Sequence, residues 1–173
     1  MTDPFIAAWS TAASRFPPAT PLLYADLAPD ATTLVPPASP QPGPILRLPW
    51  GAESLARRLM RHTPPTALEL EQAIETIEPE IMALRLHLPA GTLIVLGGAW
   101  PQALAATDPG LHRDAVENLF QHLAAIAQGR PAGIDALPTD PTFFAAVLLL
   151  RELMHHLGLE RAVAEAPAPS PPA

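Results

Sequence analysis

The chain has neither cysteine nor lysine. The first absence excludes thiol nucleophiles, thiolate metal centres and disulfides. The second excludes the phosphate-binding lysine of a Walker-type loop and Schiff-base chemistry. All ten basic residues are therefore arginine, and against 17 acidic residues they leave a net charge of −7 and a pI near 5.2. Such a balance gives no electrostatic footprint for a nucleic-acid backbone or an anionic membrane, so neither partner is expected. Aromatic residues are scarce at 5 %, and Trp9, Trp50 and Trp100 stand far apart, as packing residues rather than a stacking platform. Long apolar runs are missing as well. "FFAAVLLL" (143–150) falls well short of the roughly 20 residues that span a bilayer. The start, "MTDPFIAAWSTAASRF", has an early Asp and no basic segment, which makes it a poor signal peptide. A cysteine-free chain fits a reducing compartment, so the expected location is the cytoplasm.

What the chain does have is proline, 24 residues of it, beside 49 % hydrophobic residues. The length of 173 suits one domain with loose ends. The prolines fall between apolar segments and mark their limits. Residues 4–16 read as a helix within an N-terminal extension (1–20). "PLLYADL" (21–27), "ATTLV" (31–35) and "PILRL" (44–48) read as three strands with short links, an antiparallel meander. "GAESLARRLMRH" (51–62) reads as a helix. Thr66 and Glu69 form a capping box, followed by Leu70, Ile74, Ile77, Ile81, Leu84 and Leu88 at helical spacing. Pro79 lies inside that stripe and predicts a kink or break. "GTLIVLGG" (91–98) is a buried strand ending in a glycine turn. Helices at 112–128 and 141–157 follow, the second with Asp140 as cap, Pro141 at its first position and Gly158 as stop. The Pro/Ala-rich residues 161–173 read as a disordered tail.

Several side-chain groups carry possible chemistry. Glu152 and His155 form an E-x-x-H pair at helical spacing, with His156 next, a candidate metal pair of the kind that di-metal bundles use twice. Glu69, Glu71, Glu75, Glu78 and Glu80 read as a solvated helix face rather than a metal site. Arg57, Arg58 and Arg61 with Arg47 are the one basic cluster and a candidate dock for a phosphate or an acidic partner. Gly97-Gly98 at a strand end is a candidate anion turn.

The order β-β-β-α-α-β-α, followed by further C-terminal helices, resembles the ribonuclease-H-like half-domain of the actin-like ATPase superfamily, a single α/β (α+β) domain over 21–160. Within that superfamily the chain resembles the second lobe of the exopolyphosphatase / guanosine pentaphosphate phosphatase family, over residues 21 to 158. That lobe carries an Asp-[Ile/Leu]-Gly-Gly-Gly-Ser-Thr phosphate loop between its first two strands, and "YADLAPDATTLV" (24–35) stands in the matching place. Its third strand runs into a corner matched by "RLPWGAESLARRLMRHTPPT" (47–66). Its next strand ends in a Gly-Gly turn, matched by Gly97-Gly98.

The departures bear on activity. The loop glycines are replaced by Ala28, Pro29 and Asp30. Pro29 has no N–H to offer an anion, and Asp30 adds negative charge. The serine position is Ala31, with Thr32 after it, and Thr33 stands where the family often has an acidic residue. Asp26 is retained as the carboxylate that would orient a metal. Trp100 and Pro101 replace small residues after Gly98. The family's first lobe, which supplies one wall of the cleft and the catalytic glutamate, is expected to be missing. The resemblance thus implies a non-catalytic, degenerate single-lobe relative that binds or regulates through a protein partner or as a homodimer, with no cofactor. The alternatives are an Mg-dependent phosphohydrolase of polyphosphate or guanosine polyphosphates, completed by a partner, and an acidic chaperone-like protein. The candidate ligand-binding residues are Asp26, Thr32, Gly97, Gly98, Arg57 and Arg58, for a small phosphorylated ligand. Asp26 is the one catalytic candidate.

Overall fold

Strand β1 (Leu22–Leu27) lies at the middle of a sheet whose order is β5-β2-β1-β6-β7, in a computed structural model that describes residues 3–38, 41–84, 86–98, 111–134 and 136–164. Its partner β2 (Thr32–Val35) runs antiparallel, with Tyr24 opposite Val35, and β5 (Leu46–Leu48) runs antiparallel to β2. On the other side β6 (Leu93–Gly98) runs parallel to β1, with Leu22 opposite Leu93 and Asp26 opposite Gly97. The three expected meander strands are all present. A further two-residue hairpin, β3 (Pro37–Ala38) with β4 (Gln41–Pro42), sits between β2 and β5.

The fifth strand, β7 (Ala162–Ala164), pairs parallel with β6, Ile94 opposite Ala162. It falls within residues 161–173, which the sequence alone reads as tail. Three residues of small and β-branched side chains suffice because β6 supplies a ready ladder, and Ala162 is fully buried there. Residues 165–173 lie outside the described residues.

The sheet is covered on both faces, so its central strands are apolar throughout rather than alternating. One face presents Leu23, Ala25, Leu27, Leu34, Ile94 and Leu96 to the helical layer. That layer holds α2 (Ala52–Leu59), α3 (Ala67–Ala83), α4 (Arg113–Ala127) and α5 (Pro141–His156), and α2, α3 and α4 all pack on α5. Every residue from Phe143 to Leu150 is buried, which explains a helix that is hydrophobic all round. Asp140 caps it by accepting from the amides of Thr142 (2.7 Å) and Phe143 (3.3 Å). The other face presents Leu22, Tyr24, Val35 and Val95 to α1 (Pro4–Ala13), where Phe5, Ile6 and Trp9 cover them. The Trp9 Nε1–H donates to the Leu22 carbonyl at 2.9 Å, tying the helix to the central strand.

Helix α3 runs unbroken through Pro79, against the break expected there. The ring lies on the exposed side, where it meets solvent and the lost N–H is not a buried vacancy. The helix stops at Ala83 with Leu84 as cap. Leu86 and Leu88 continue the apolar packing outside the helix.

Candidate functional site

The family resemblance points to one place, the C-terminal ends of β1 and β6 and the loop after β1. Asp26 is half-buried there, opposite Thr33 on β2 and Gly97 on β6, on the same sheet face as Tyr24. Gly98 has φ +89°, and a Cβ on it would lie 2.7 Å from the Leu27 carbonyl oxygen and 3.1 Å from Asp26 Oδ1. The glycine is therefore required by the close approach of the two strand ends. Trp100 and Pro101 lie outside the described residues.

The loop of residues 28–31 is closed onto the corner that leads into α2. The Pro29 carbonyl accepts from the amides of Glu53 (3.0 Å) and Ser54 (3.1 Å), the first-turn N–H groups of α2. These are the donors that a helix N-terminus otherwise offers to an anion. Ser54 Oγ accepts from the Gly51 amide at 2.9 Å and lies 3.2 Å from the Asp30 carbonyl oxygen, to which it donates. A Cβ on Gly51 would stand 2.2 Å from the Ala28 carbonyl oxygen and 2.4 Å from that of Pro29, so the approach is possible only at glycine. Thr32 is fully buried, and its hydroxyl donates to the Trp50 carbonyl at 2.9 Å. Outside, Asp30 pairs with Arg57 at 2.9 Å, both side chains exposed, and the Arg58 guanidinium sits 4.6 Å from the Trp50 ring centre.

The candidates therefore separate into groups. Asp26, Gly97 and Gly98 come together at the strand ends. Thr32, Arg57 and Arg58 do not join them in an open pocket, because each is engaged with the loop or the corner. One carboxylate with two glycines is a poor match to a cation that takes six oxygens, so the residues described here do not form a Mg²⁺ cage. A cavity of about 700 Å³ lies at the opposite ends of these strands, lined by Trp9, Phe16, Pro17, Pro21, Pro37 and Pro89, with no titratable side chain in its wall.

Glu152 and His155 are not brought together as a metal pair. Glu152 is 1 % exposed and bonds Arg151 and, at 3.1 Å, His156 Nε2. His155 is exposed, 3.4 Å from Arg113 Nη2. The spacing i to i+4 rather than i to i+3 is the one that meets here. Arg151 also bonds Glu117 Oε2 at 2.8 Å and lies over Phe120. Burial opposes ionisation of Glu117, but the hydrogen bonds from Arg151 and Gln121 outweigh it and hold its carboxyl below the usual range. Burial likewise opposes the Arg151 charge, and its bonds to Glu117 and Glu152 raise its pKa overall. Among the described residues no group of three or more His, Asp and Glu is arranged to hold a metal ion.

The polar centre that sequence reasoning misjudged is Glu69. The sequence groups it with the solvated carboxylates, but it is buried, while Glu71, Glu75 and Glu80 are exposed. Its Oε2 accepts from the Thr66 amide (2.8 Å) and hydroxyl (3.1 Å). Its Oε1 accepts from the Arg61 amide (2.7 Å) and lies 2.9 Å from His62 Nδ1. Burial acts to raise its pKa, but these hydrogen bonds prevail and lower it from 4.5 to about 2. The capping-box motif was the available signal. The neighbouring turn that supplies Arg61 and His62 was not.

The sequence matches no protein-family model and none of the curated proteins. Solved structures do match it. Two of the Aquifex aeolicus Ppx/GppA phosphatase superpose with TM-scores of 0.72 and 0.73 at 16 % and 15 % identity, covering 90 % and 92 % of this chain. An exopolyphosphatase from Cytophaga hutchinsonii superposes with a TM-score of 0.64 at 11 % identity over 92 % of this chain. The match takes in 56 % of each Aquifex chain and 58 % of the Cytophaga one. The chain thus shares its fold with the Ppx/GppA phosphatases, as the sequence resemblance implied, and spans little more than half their length.

Proposed function

We propose that this chain is a non-catalytic relative of the Ppx/GppA phosphatases that acts as a binding or regulatory module through contact with another polypeptide. The observation that carries the reading is the pair of bonds from the Glu53 and Ser54 amides to the Pro29 carbonyl. Where the resemblance places a phosphate loop, the chain's own Pro29 carbonyl occupies the first-turn amides of the adjoining helix α2, donors that could otherwise face an anion. Phosphoryl transfer depends on positioning and on neutralising the charge of the transferred group. Asp26 with Gly97 and Gly98 supplies no cationic side chain for that. A helix-only chain would have favoured the chaperone alternative, and the five-stranded sheet does not lend it that support.

The test is phosphate release from long-chain polyphosphate with Mg²⁺, run on the chain and on Asp26→Ala in parallel. The expected outcome is background release from both. Release by the chain that disappears in Asp26→Ala would overturn the non-catalytic reading.

A further inference from the structure

The cavity of about 700 Å³ at the starting ends of β1 and β6 lies away from Asp26, Gly97 and Gly98. Its volume is in the range of preformed ligand sites, roughly 300–1,000 Å³. The wall combines two half-buried aromatic rings, Trp9 and Phe16, with Pro17, Pro21 and Pro37. The Trp9 Nε1–H is taken by the Leu22 carbonyl, so that residue offers the cavity its ring and not its donor. Side-chain donors come from Thr20 and Gln41. Among the described residues no titratable side chain lines the cavity, so a charged group entering it would lose hydration with no ion pair in return. The occupant that fits is uncharged and apolar, with a few acceptors to be met.

One stretch of this chain has that character. After β7 the sequence runs "EAPAPSPPA" (165–173), with Pro167, Pro169, Pro171 and Pro172 and no charged side chain after Glu165. Prolines at this density favour the polyproline II helix, which has three residues per turn and no internal hydrogen bonds. Pro169 and Pro172 then share one edge, and the backbone carbonyls stay open to donors. Aromatic-lined grooves take such segments because the extended form is already set and little entropy is lost on docking.

Layer and reach agree with this occupant. Val163 of β7 packs on the cluster of Leu22, Tyr24, Val35 and Val95, the same cluster on which Trp9 and Phe16 pack. The strand that precedes the segment therefore borders the layer that holds the cavity. Ala164 stands opposite Leu96, and the Leu93 amide donates to the Pro21 carbonyl at 2.9 Å. From Ala164 to Pro21 is thus about four residues along the strands and two strand spacings across, roughly 16 Å. Residues 165–173 in polyproline II form extend to roughly 28 Å, enough to double back and lie along the cavity.

We propose that this cavity is the docking groove for the chain's own residues 166–172. The prolines pack on Trp9 and Phe16, and Thr20 and Gln41 donate to the carbonyls between them. Docking there does not depend on the non-catalytic reading, and phosphate release from polyphosphate would leave it untouched.

Paramagnetic relaxation in the full chain tests it. The chain has no cysteine, so Ser170→Cys carries a single nitroxide. With the nitroxide oxidised, the Trp9 indole signal and the Ala13, Thr20 and Ala90 amide signals should lose intensity, while those of Ile77 and Leu123 in the helical layer keep theirs. Pro169→Gly/Pro171→Gly/Pro172→Gly in the same labelled chain should restore the lost signals, since glycine removes the preset φ. All the substituted positions follow the last described strand, so none lies in an element of the fold. A mixture of nitroxide chain without nitrogen-15 and nitrogen-15 chain without nitroxide separates one copy from two, and no loss is expected in it. Three results would overturn the assignment: no loss at Trp9 and its neighbours, a loss that the glycine variant leaves unchanged, or a loss in the mixture, which would make a second copy's segment the occupant.

Discussion

Glu69→Gln should be among the most costly single-atom changes in this protein. The carboxylate accepts from the Arg61 amide, the Thr66 amide and the Thr66 hydroxyl, and lies against His62, with 8 % of the residue exposed. Its pKa falls from 4.5 in the unfolded chain to about 2 in the folded one. That difference corresponds to roughly 3 kcal/mol of stability from the ionised form. Glutamine keeps one acceptor oxygen and puts an NH₂ group against N–H donors, so a loss of about 2–3 kcal/mol is expected near neutral pH. For a chain of this size that is a fall of roughly 4–10 °C in Tm. The sign with pH follows from the direction of the shift. A depressed carboxyl stabilises fully above its unfolded pKa, and the contribution is lost as pH drops towards the folded pKa. The gap between wild type and Glu69→Gln should therefore be complete at pH 6–7, shrink by about 1.4 kcal/mol per pH unit below 4.5, and close near pH 2. Urea unfolding followed by far-UV circular dichroism at a series of pH values measures it. A gap of the same size at pH 7 and near pH 2.5, or one below about 0.5 kcal/mol throughout, would refute the charge-network account.

Gly51→Ala should destabilise by about 2–4 kcal/mol, because the new Cβ would stand 2.2 Å from the Ala28 carbonyl oxygen and must push the β1–β2 loop away. A melting temperature within a degree of wild type would show that the loop is not held against the corner. Glu152→Ala removes a carboxylate that is 1 % exposed and leaves Arg151 with Glu117 alone, so a loss of about 3 kcal/mol is expected in the same unfolding assay. A loss no larger than that of an exposed carboxylate such as Glu75→Ala would mean that the α4–α5 ion pairs contribute nothing net.

The elements that could be read from the sequence were those with a local physical signature. Asp140-Pro141 and Gly158 bracket α5 by capping chemistry alone, and Thr66 and Glu69 start α3 in the same way. The glycine pair at the end of β6 was visible as a breaker after an apolar run, and Gly98 has positive φ. What stayed hidden depends on groups distant in sequence. Ala162–Ala164 is too short and plain to be recognised as a strand until β6 stands beside it. The side chains of residues 28–31 show what the loop lacks, but not that the Pro29 carbonyl fills the first turn of α2, because backbone acceptors leave no trace in composition. That Glu152 reaches His156 rather than His155 stayed hidden for a related reason. Both spacings lie on one helix face, and sequence alone does not say which histidine the buried carboxylate meets.

The placement of α5 has a consequence for how the chain comes to be made. The helix that every other member of the helical layer rests on begins at Pro141, and β6, the central parallel partner of β1, begins at Leu93. The β1–β2–β5 meander is made before either, and until they follow, Leu23, Ala25, Leu27 and Leu34 lack the partners they have in the folded core. That surface lacks its α5 cover until residues 141–156 have been made. Long-range pairing of this kind is slow and leaves apolar strands open to the wrong neighbour. Nascent chains stopped anywhere before α5 should therefore be protease-sensitive and prone to aggregate, and resistance should appear in one late step.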